Sequence, residues 1–564
     1  MPFLSKDLPL PVRILAVLSV LVVGLLGALT LYDAILAPTP DYSPVLRPSV
    51  LDDWSPPWAA ATPDPVEPDT GTDDDAEPDT AAGDDTDPKT GTDGEAEPDT
   101  GTDGDAGPDA AANGDAAIDP VQACNTLPSK WIVIGWDGAD WDEVLPLLDA
   151  GRLPHLEALM RGGSYGTLAS MIPTLSPAVW TTIATGRTPG RHGILHFYNQ
   201  KPRLERWLER ALNWGKLDRQ LYSNADRRSR AVWNELSDRG RPVMLVGYHN
   251  TFPVEPVEGM MVSNYLVQDS IAQAMNFGSA STSAALATSL VYPQASLEEV
   301  LEIQREVDRR ILDDVQRFAD LDDDEVTDFV RRSRTLVDDA DQKPYFLAKA
   351  LTFDTLIAEV ADAFYDEVKP DLAMIHFQSI DWAAHRFYYY HDPSLFESMP
   401  WTDAQRAALD AELDKYGDTL SAFYVYMDEW LGRFMARRDP ETAILLLSDH
   451  GFETNDDPDL PGEHKTAPPG IVVMNGPGIR ADQKLESDYS IYDILPTLMA
   501  GLSLPVAEDL QGTVMREAFC DAALTDVETV ASYGDGKPYI PEIHRPEGVD
   551  AEVLKQLESL GYLN

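Results

Sequence analysis

The chain has 564 residues, with 96 Asp and Glu against 43 Lys and Arg and a formal net charge of -53. An acidic balance of that size excludes a protein that holds nucleic acid through its phosphates, since there is no basic stripe to displace counterions. Nor does the composition describe one folded body, because charge, proline and large apolar side chains are spread very unevenly along the chain.

Residues 1–13 carry Lys6 and Arg13 and read as a cytoplasmic N-terminus. Residues 14–32, ILAVLSVLVVGLLGALTLY, hold no charge over about 19 positions, enough to span a bilayer. Basic residues precede the span and Asp33 follows it, so the chain after it is expected outside the cytoplasm, in a periplasm or the extracellular space. An uncleaved anchor is preferred to a cleaved signal peptide. The apolar run is long for a signal, and the one small-residue cleavage candidate, Ala37, is followed by Pro38. Residues 38–120 are Pro, Asp, Thr, Gly and Ala, with EPDT recurring from Glu67, Glu77 and Glu97. Low hydropathy and charge of one sign predict a disordered acidic spacer.

A catalytic α/β domain is expected over 124–267 and 344–535. Cys124 and Cys520 bracket it and are either one disulfide or two free thiols. The apolar run Trp131–Gly135 reads as a buried strand ending at Asp137. Residues 144–161 read as an amphipathic helix and SYGTLASMI as a strand. The run after Ser176 reads as a helix with Ser at the N-cap, Pro177 at N1 and Gly186 past its end. RAVWNELSDRG and PVMLVGYHN predict the next helix and strand. Residues 268–343 are polar and acidic and read as an inserted helical cap. The strand pattern resumes with DLAMIHF, TAILLLS and GIVVMNGPGI, and residues 536–564 read as an extension without chemistry. Strands alternating with helices predict a mostly parallel sheet, whose strand ends share one edge.

At those ends stand Asp137, Ser176, Asp381 and His385 at helical i, i+4 spacing, Asp449 with His450, and His464 in a Gly- and Pro-rich loop. Each has an ordinary explanation alone. Together they make a set of nitrogen and carboxylate ligands without thiolates, suited to two divalent ions, zinc first and manganese next. Two ions beside a serine hydroxyl fit in-line displacement at phosphorus.

GWDGADWD, GRLPHLEALMRGG, PTLSPAVWTTIATGRTPGRHGI, EPVEGMMVS, IDWAAH, LSDHGF, GEHKTAPPGIVVMNGPGI and YDILPTL, in that order, resemble the alkaline phosphatase superfamily. They are closest to its type I phosphodiesterase/nucleotide pyrophosphatase branch, among the bacterial predicted phosphohydrolase/phosphomutase proteins. The resemblance implies a three-layer α/β sandwich with a variable cap. It implies one ion on Asp137, Ser176, Asp449 and His450, and another on Asp381, His385 and His464. Ser176 falls in the nucleophile's place, with Thr174 as the fallback. Two departures stand out. The phosphodiesterases carry an asparagine three residues after the nucleophile, where this chain has Val179. Ser176-Pro177-Ala178-Val179-Trp180 also lacks the x-Pro-x-Arg that a sulfatase needs.

His192, His196, His249 and Lys465 lie near these motifs. Lys465 and His249 are weak candidates for substrate binding, and surface solvation is the expected role of all four. FYYY at 387–390 is expected in the core. The function expected is a metal-dependent phosphohydrolase, foremost a phosphodiesterase with a phosphoseryl intermediate, acting on a phosphate ester and tethered to the membrane by the N-terminal helix. Its rivals are a phospho-headgroup transferase of the same superfamily and a non-enzymatic tethered surface protein.

Overall fold

The computed structural model describes residues 41–58, 124–199, 220–266, 288–333, 343–537, 539, 541 and 543. The expected anchor at 14–32 and most of the expected spacer lie outside these residues. Among the described residues no helix is long and apolar enough to cross a membrane.

Among the described residues the body is built on a ten-stranded sheet. Its strands are β1 (Lys130–Trp136), β2 (Gly163–Ala169), β3 (Val243–Val246), β4 (Gly259–Val262), β5 (Val291–Tyr292), β6 (Leu372–Phe377), β7 (Thr442–Leu447), β8 (Gly470–Asn475), β9 (Gln483–Lys484) and β10 (Tyr489–Ser490). The order is β9, β2, β8, β7, β1, β6, β3, β4, β5, with β10 also against β2. β1 sits between β6 and β7, parallel to both, and β6 runs parallel to β3. These central strands are fully buried apolar runs, as parallel strands covered on both faces should be. The sheet is mixed as well as mostly parallel, because β8 runs antiparallel to both β7 and β2.

Helices cover both faces. On one face α3 (Ser176–Thr185) and α9 (Ile494–Gly501) pack with Trp131, Val133, Leu245, Met374 and Leu445 in a single core. On the other lie α2 (Pro154–Arg161), α6 (Lys343–Val368), α7 (Ser379–His391) and α8 (Thr419–Arg437), packed on one another and on β3, β6 and β8. The result is the three-layer sandwich expected. The run 144–161 is two helices, α1 (Trp141–Asp149) and α2, because Gly151 turns the chain at φ 67°.

The inserted segment is helical in part. α4 (Leu297–Arg310) and α5 (Asp323–Ser333) pack on α6. It also supplies β5, an edge strand antiparallel to β4, which an acidic helical pattern does not foretell. Phe387, Tyr388, Tyr389 and Tyr390 are buried, as expected of core packing.

Two boundaries differ from expectation. Residues 41–54, assigned to the spacer by composition, lie against the domain. Val45 N–H donates to the Ser170 carbonyl at 2.8 Å, Tyr492 OH to the Tyr42 carbonyl at 2.7 Å, and Lys484 Nζ to the Leu51 carbonyl at 2.6 Å. Leu51 is buried. A few apolar side chains suffice to dock a strap that averages as spacer. At the other end, Tyr539 OH donates to Glu255 Oε2 at 2.6 Å, so the body continues past residue 535. Cys124 and Cys520 are joined as a disulfide with Cα atoms 5.5 Å apart, which settles the open alternative.

Candidate metal centre

The centre forms at the C-terminal ends of β1, β6 and β7, where chain direction brings distant carboxylates to one edge. Asp137 follows β1, Asp381 lies in the first turn of α7 just after β6, and Asp449 and His450 follow β7. Backbone bonds lock these turns together. Asp137 N–H donates to the Phe377 carbonyl at 3.0 Å, and Gly138 N–H to Asp449 Oδ1 at 3.3 Å. Asp140 caps α1 and also accepts from Phe452 N–H at 2.8 Å, fixing the loop beyond His450. Buried Asp354 on α6 accepts from the N–H groups of Gln378 and Ser379, each at 2.9 Å, and so holds the turn that presents Asp381.

Six of the seven expected ligands converge. His385 Nε2 lies 3.6 Å and His464 Nε2 3.7 Å from Asp381 Oδ1. His450 Nε2 lies 3.6 Å from Asp137 Oδ1, 3.4 Å from Asp449 Oδ2 and 4.0 Å from Asp381 Oδ1. Asp381, His385 and His464 form one compact group, and Asp137, Asp381 and His450 a second that adjoins it.

The residues fit divalent ions on the orientation of the rings. His450 Nδ1–H donates to the Gly451 carbonyl at 3.0 Å, and His385 Nδ1–H to the Gly462 carbonyl at 2.9 Å. Each bond fixes a tautomer whose Nε2 lone pair faces carboxylate oxygen, a repulsive arrangement unless a cation lies between. Separations of 3.4–3.7 Å are long for hydrogen bonds. They are close to the roughly 3.3 Å between ligands on a tetrahedral ion with bonds of about 2.05 Å. Asp137 Oδ1, Asp449 Oδ2 and His450 Nε2 are buried and make no hydrogen bond.

Charge tells the same story. Burial pushes His376 and His385 down to about 4 and His464 well below its ordinary value, so the rings are neutral, as ligands must be. Burial, with Asp137 and Asp381 alongside, drives the Asp449 carboxyl well above the usual range. Burial works the same way on Asp137, but hydrogen bonds from His249 and His376 overcome it and hold that carboxyl well below.

Ser176 stands beside this cluster. It is the first residue of α3 rather than its N-cap, which is Leu175 with no side-chain cap. Its hydroxyl is buried and makes no hydrogen bond. Trp180, one turn on, donates from Nε1 to Asp137 Oδ2 at 2.8 Å. Helix α3 is thus tied directly to Asp137. Thr174 spends its own hydroxyl on the Met171 carbonyl at 3.1 Å, whereas the Ser176 hydroxyl is uncommitted among the described residues. Asn250, from the loop after β3, donates to the Pro177 carbonyl at 2.8 Å and to Thr181 Oγ1 at 2.9 Å, bracing the same first turn.

One residue of the site escaped the sequence reading. His376, inside β6, is fully buried and donates from Nε2 to Asp137 Oδ2 at 3.1 Å. With Trp180 it occupies one oxygen of Asp137 and leaves Oδ1 to face His450. Gly135, its partner in register, makes the room: a Cβ there would lie 2.5 Å from the Trp180 ring and 3.0 Å from His376. A polar residue inside an apolar central strand was the available signal, since such a residue needs a buried partner.

The expected surface role fails for two of the flanking histidines. His249 is buried, with Nε2 3.5 Å from Asp137 Oδ2. His192 is fully buried; its Nε2–H donates to Thr182 Oγ1 at 3.0 Å and its Nδ1 accepts from Ile194 N–H at 3.2 Å. Lys465 is exposed and paired with Glu463, as a surface residue.

His192 sets an acid limit on the fold. Burial depresses it from 6.5 to about 3, so its contribution is complete above about 6.5 and is lost as the pH falls towards 3. In that window wild-type stability should fall by about 1.4 kcal/mol per pH unit more steeply than that of His192→Gln. Denaturant titrations of the two proteins at stepped pH measure this, and parallel curves would refute it.

Residues 131–493 match the family described as Type I phosphodiesterase / nucleotide pyrophosphatase. Among curated proteins none matches the chain. Solved structures similar to it include phosphonoacetate hydrolase from Sinorhizobium meliloti 1021, at 14% identity and TM-score 0.29, covering 59% of this chain and 58% of that enzyme. Human ectonucleotide pyrophosphatase / phosphodiesterase 5 is similar at 11% identity and TM-score 0.37, covering 68% of this chain and 97% of that one. A sulfatase-like protein from Bacteroides thetaiotaomicron VPI-5482 is similar at 11% identity and TM-score 0.39, covering 71% and 76%. The chain therefore spans little more than half of the first of these.

Proposed function

The chain belongs to the type I phosphodiesterase / nucleotide pyrophosphatase family; from that premise we propose that it is a phosphoric ester hydrolase of the alkaline phosphatase superfamily and cleaves phosphodiesters through a phosphoseryl intermediate. The observation that carries this reading is the unbonded Ser176 hydroxyl, buried at the head of α3 beside two facing groups of carboxylates and neutral imidazoles.

Ser176 attacks phosphorus in line, the P–O bond to the leaving alcohol breaks, and the Ser176 proton leaves with solvent or the alcohol. Water then attacks the phosphoseryl ester from the vacated side and restores the hydroxyl. Two divalent ions, zinc by donor chemistry and manganese next, would supply Lewis-acid polarisation of the phosphoryl oxygens and a more acidic water. Asp137, Ser176, Asp449 and His450 would hold one ion, and Asp381, His385 and His464 the other. Trp180 and His376 aim Asp137. With Val179 where the family has asparagine, and with Pro177 lacking an N–H and the N–H groups of Ala178 and Val179 donating to the Leu175 carbonyl, support for a non-bridging oxygen falls to the positive end of the α3 dipole.

We place the domain outside the cytoplasm, in a periplasm or the extracellular space, held there by residues 14–32. The charge pattern around that span supports this, as does the Cys124–Cys520 disulfide, a bond that persists in oxidising compartments.

A panel of aryl phosphodiesters, aryl phosphomonoesters and aryl sulfates tests the substrate class. Diester turnover is expected to exceed monoester turnover by at least about tenfold, with sulfate esters inert. Monoester turnover equal to or above that of the diesters would overturn the diesterase reading and leave the hydrolase.

A further inference from the structure

We infer that a cavity at the C-terminal end of α3 is a binding site for an oxyanion of the phosphate class, separate from the metal centre. The cavity measures about 210 Å³ and is lined by Arg187, Arg191, Arg228, Arg230 and Lys537. Five cations from three separate stretches of chain meet there, in a protein with more than two acidic residues for each basic one.

Neutralisation by neighbouring carboxylates is incomplete. Arg187 pairs with Asp509 at 2.5 Å, and Arg230 is taken by Glu235 and Asp238. Among the described residues the Arg191 side chain donates to the backbone carbonyl of Asp509, at 3.0 Å, and forms no carboxylate ion pair. Arg228 and Lys537 meet no carboxylate among the described residues. Three positive charges are thus left facing one cavity. The negative end of α3 accounts for one cation near its last turn; it does not account for a ring of them.

The site is also built. Arg187 is buried and held by Asp509 and by Ser532 Oγ at 3.4 Å. The backbone under Arg228 is pinned on both sides: its N–H donates to the His192 carbonyl and its carbonyl accepts from Tyr539 N–H, each at 2.8 Å. Guanidinium groups around a cavity, Arg187 held in place and Arg228 carried on a pinned backbone, match the planar, forked hydrogen bonding that phosphate oxygens accept, and Lys537 adds a point charge. Helix α3 has ten residues, so the cavity and Ser176 are separated by about 15 Å along the axis.

Calorimetric titration of the metal-loaded full chain tests this, with inorganic phosphate and with phenylphosphonate as a non-hydrolysable stand-in for a phosphomonoester. One binding event beyond competitive inhibition at the metal centre is expected for at least one of them, and the tighter ligand names the source. In Arg228→Glu/Lys537→Glu that event should weaken at least tenfold, while diester turnover and its inhibition by phosphate stay unchanged. Both residues are exposed, so the unfolding temperature should hold. A single binding event in the wild-type chain, or a second event unchanged in the double variant, overturns the inference.

Discussion

Ser176→Ala is expected to lower phosphodiester turnover by about 10⁴-fold or more, the loss that follows when a covalent nucleophile is removed and only binding and electrostatics remain. The fold should not notice. Among the described residues the Ser176 hydroxyl makes no hydrogen bond, so its removal costs no partner and leaves no orphan. Asp137, Asp449 and His450 remain to hold their ion, and bound metal measured by elemental analysis should persist. Thr174→Ala is the control. That hydroxyl serves a turn by donating to Met171, and its loss should change turnover by no more than about tenfold while costing about 1 kcal/mol of stability. If the Ser176 variant keeps turnover within tenfold of wild type, Ser176 has no covalent part in the reaction. A large loss confined to the Thr174 variant would move the nucleophile two residues upstream.

Chelation should abolish turnover and lower the unfolding temperature together. Three carboxylates buried to within 2% of full exclusion share this edge of the sheet. Without cations, either they repel one another or some take up protons, as the elevation of Asp449 shows. An ion that binds only the folded chain adds about 4 kcal/mol of stability at a thousandfold excess over its Kd, and two ions act independently or better. Returning zinc, or manganese in its place, should restore both readouts. Asp381→Ala sharpens the assignment: Asp381 Oδ1 is the oxygen towards which His385 and His464 converge. That variant should hold one ion per chain instead of two, with turnover reduced by at least about 10³-fold. Two ions still bound to it would refute the division of ligands proposed here.

Much of this centre was legible before any coordinates, for a physical reason. β1, β6 and β7 are apolar runs, broken inside only by His376 in β6, because they are covered on both faces. Polar residues immediately after such runs have nowhere to go except the sheet edge. Asp137, Asp381, Asp449 and His450 all announce themselves in this way. His376 was passed over, although a polar residue inside DLAMIHF was a signal, because the strand pattern does not say which buried group it meets, and that partner, Asp137, lies 239 residues away in the chain. The N-cap assignment of Ser176 missed by one residue because Leu175 adopts the extended cap conformation without a side-chain bond, so no capping chemistry marks the boundary. His192 was misread for another reason: its surroundings in sequence, GRTPGRHGI, are polar and turn-like. The ring nevertheless reaches Thr182, ten residues back on α3, and takes a defined neutral tautomer there. The antiparallel placement of β8 between β7 and β2 depends on long-range pairing that no local pattern encodes.

The docked strap at 41–54 changes what the acidic stretch behind it can be. Trp54 and Cys124 both belong to the folded body, so the acidic stretch between them is held at its two ends and is not a tether to anything beyond it. If residues 14–32 are seated in a bilayer, only 33–40 lie between the lipid and Asp41, at most about 30 Å of extended chain. The catalytic body would then ride close against the membrane surface, and lengthening or deleting the EPDT repeats would leave its height above the lipid unaltered.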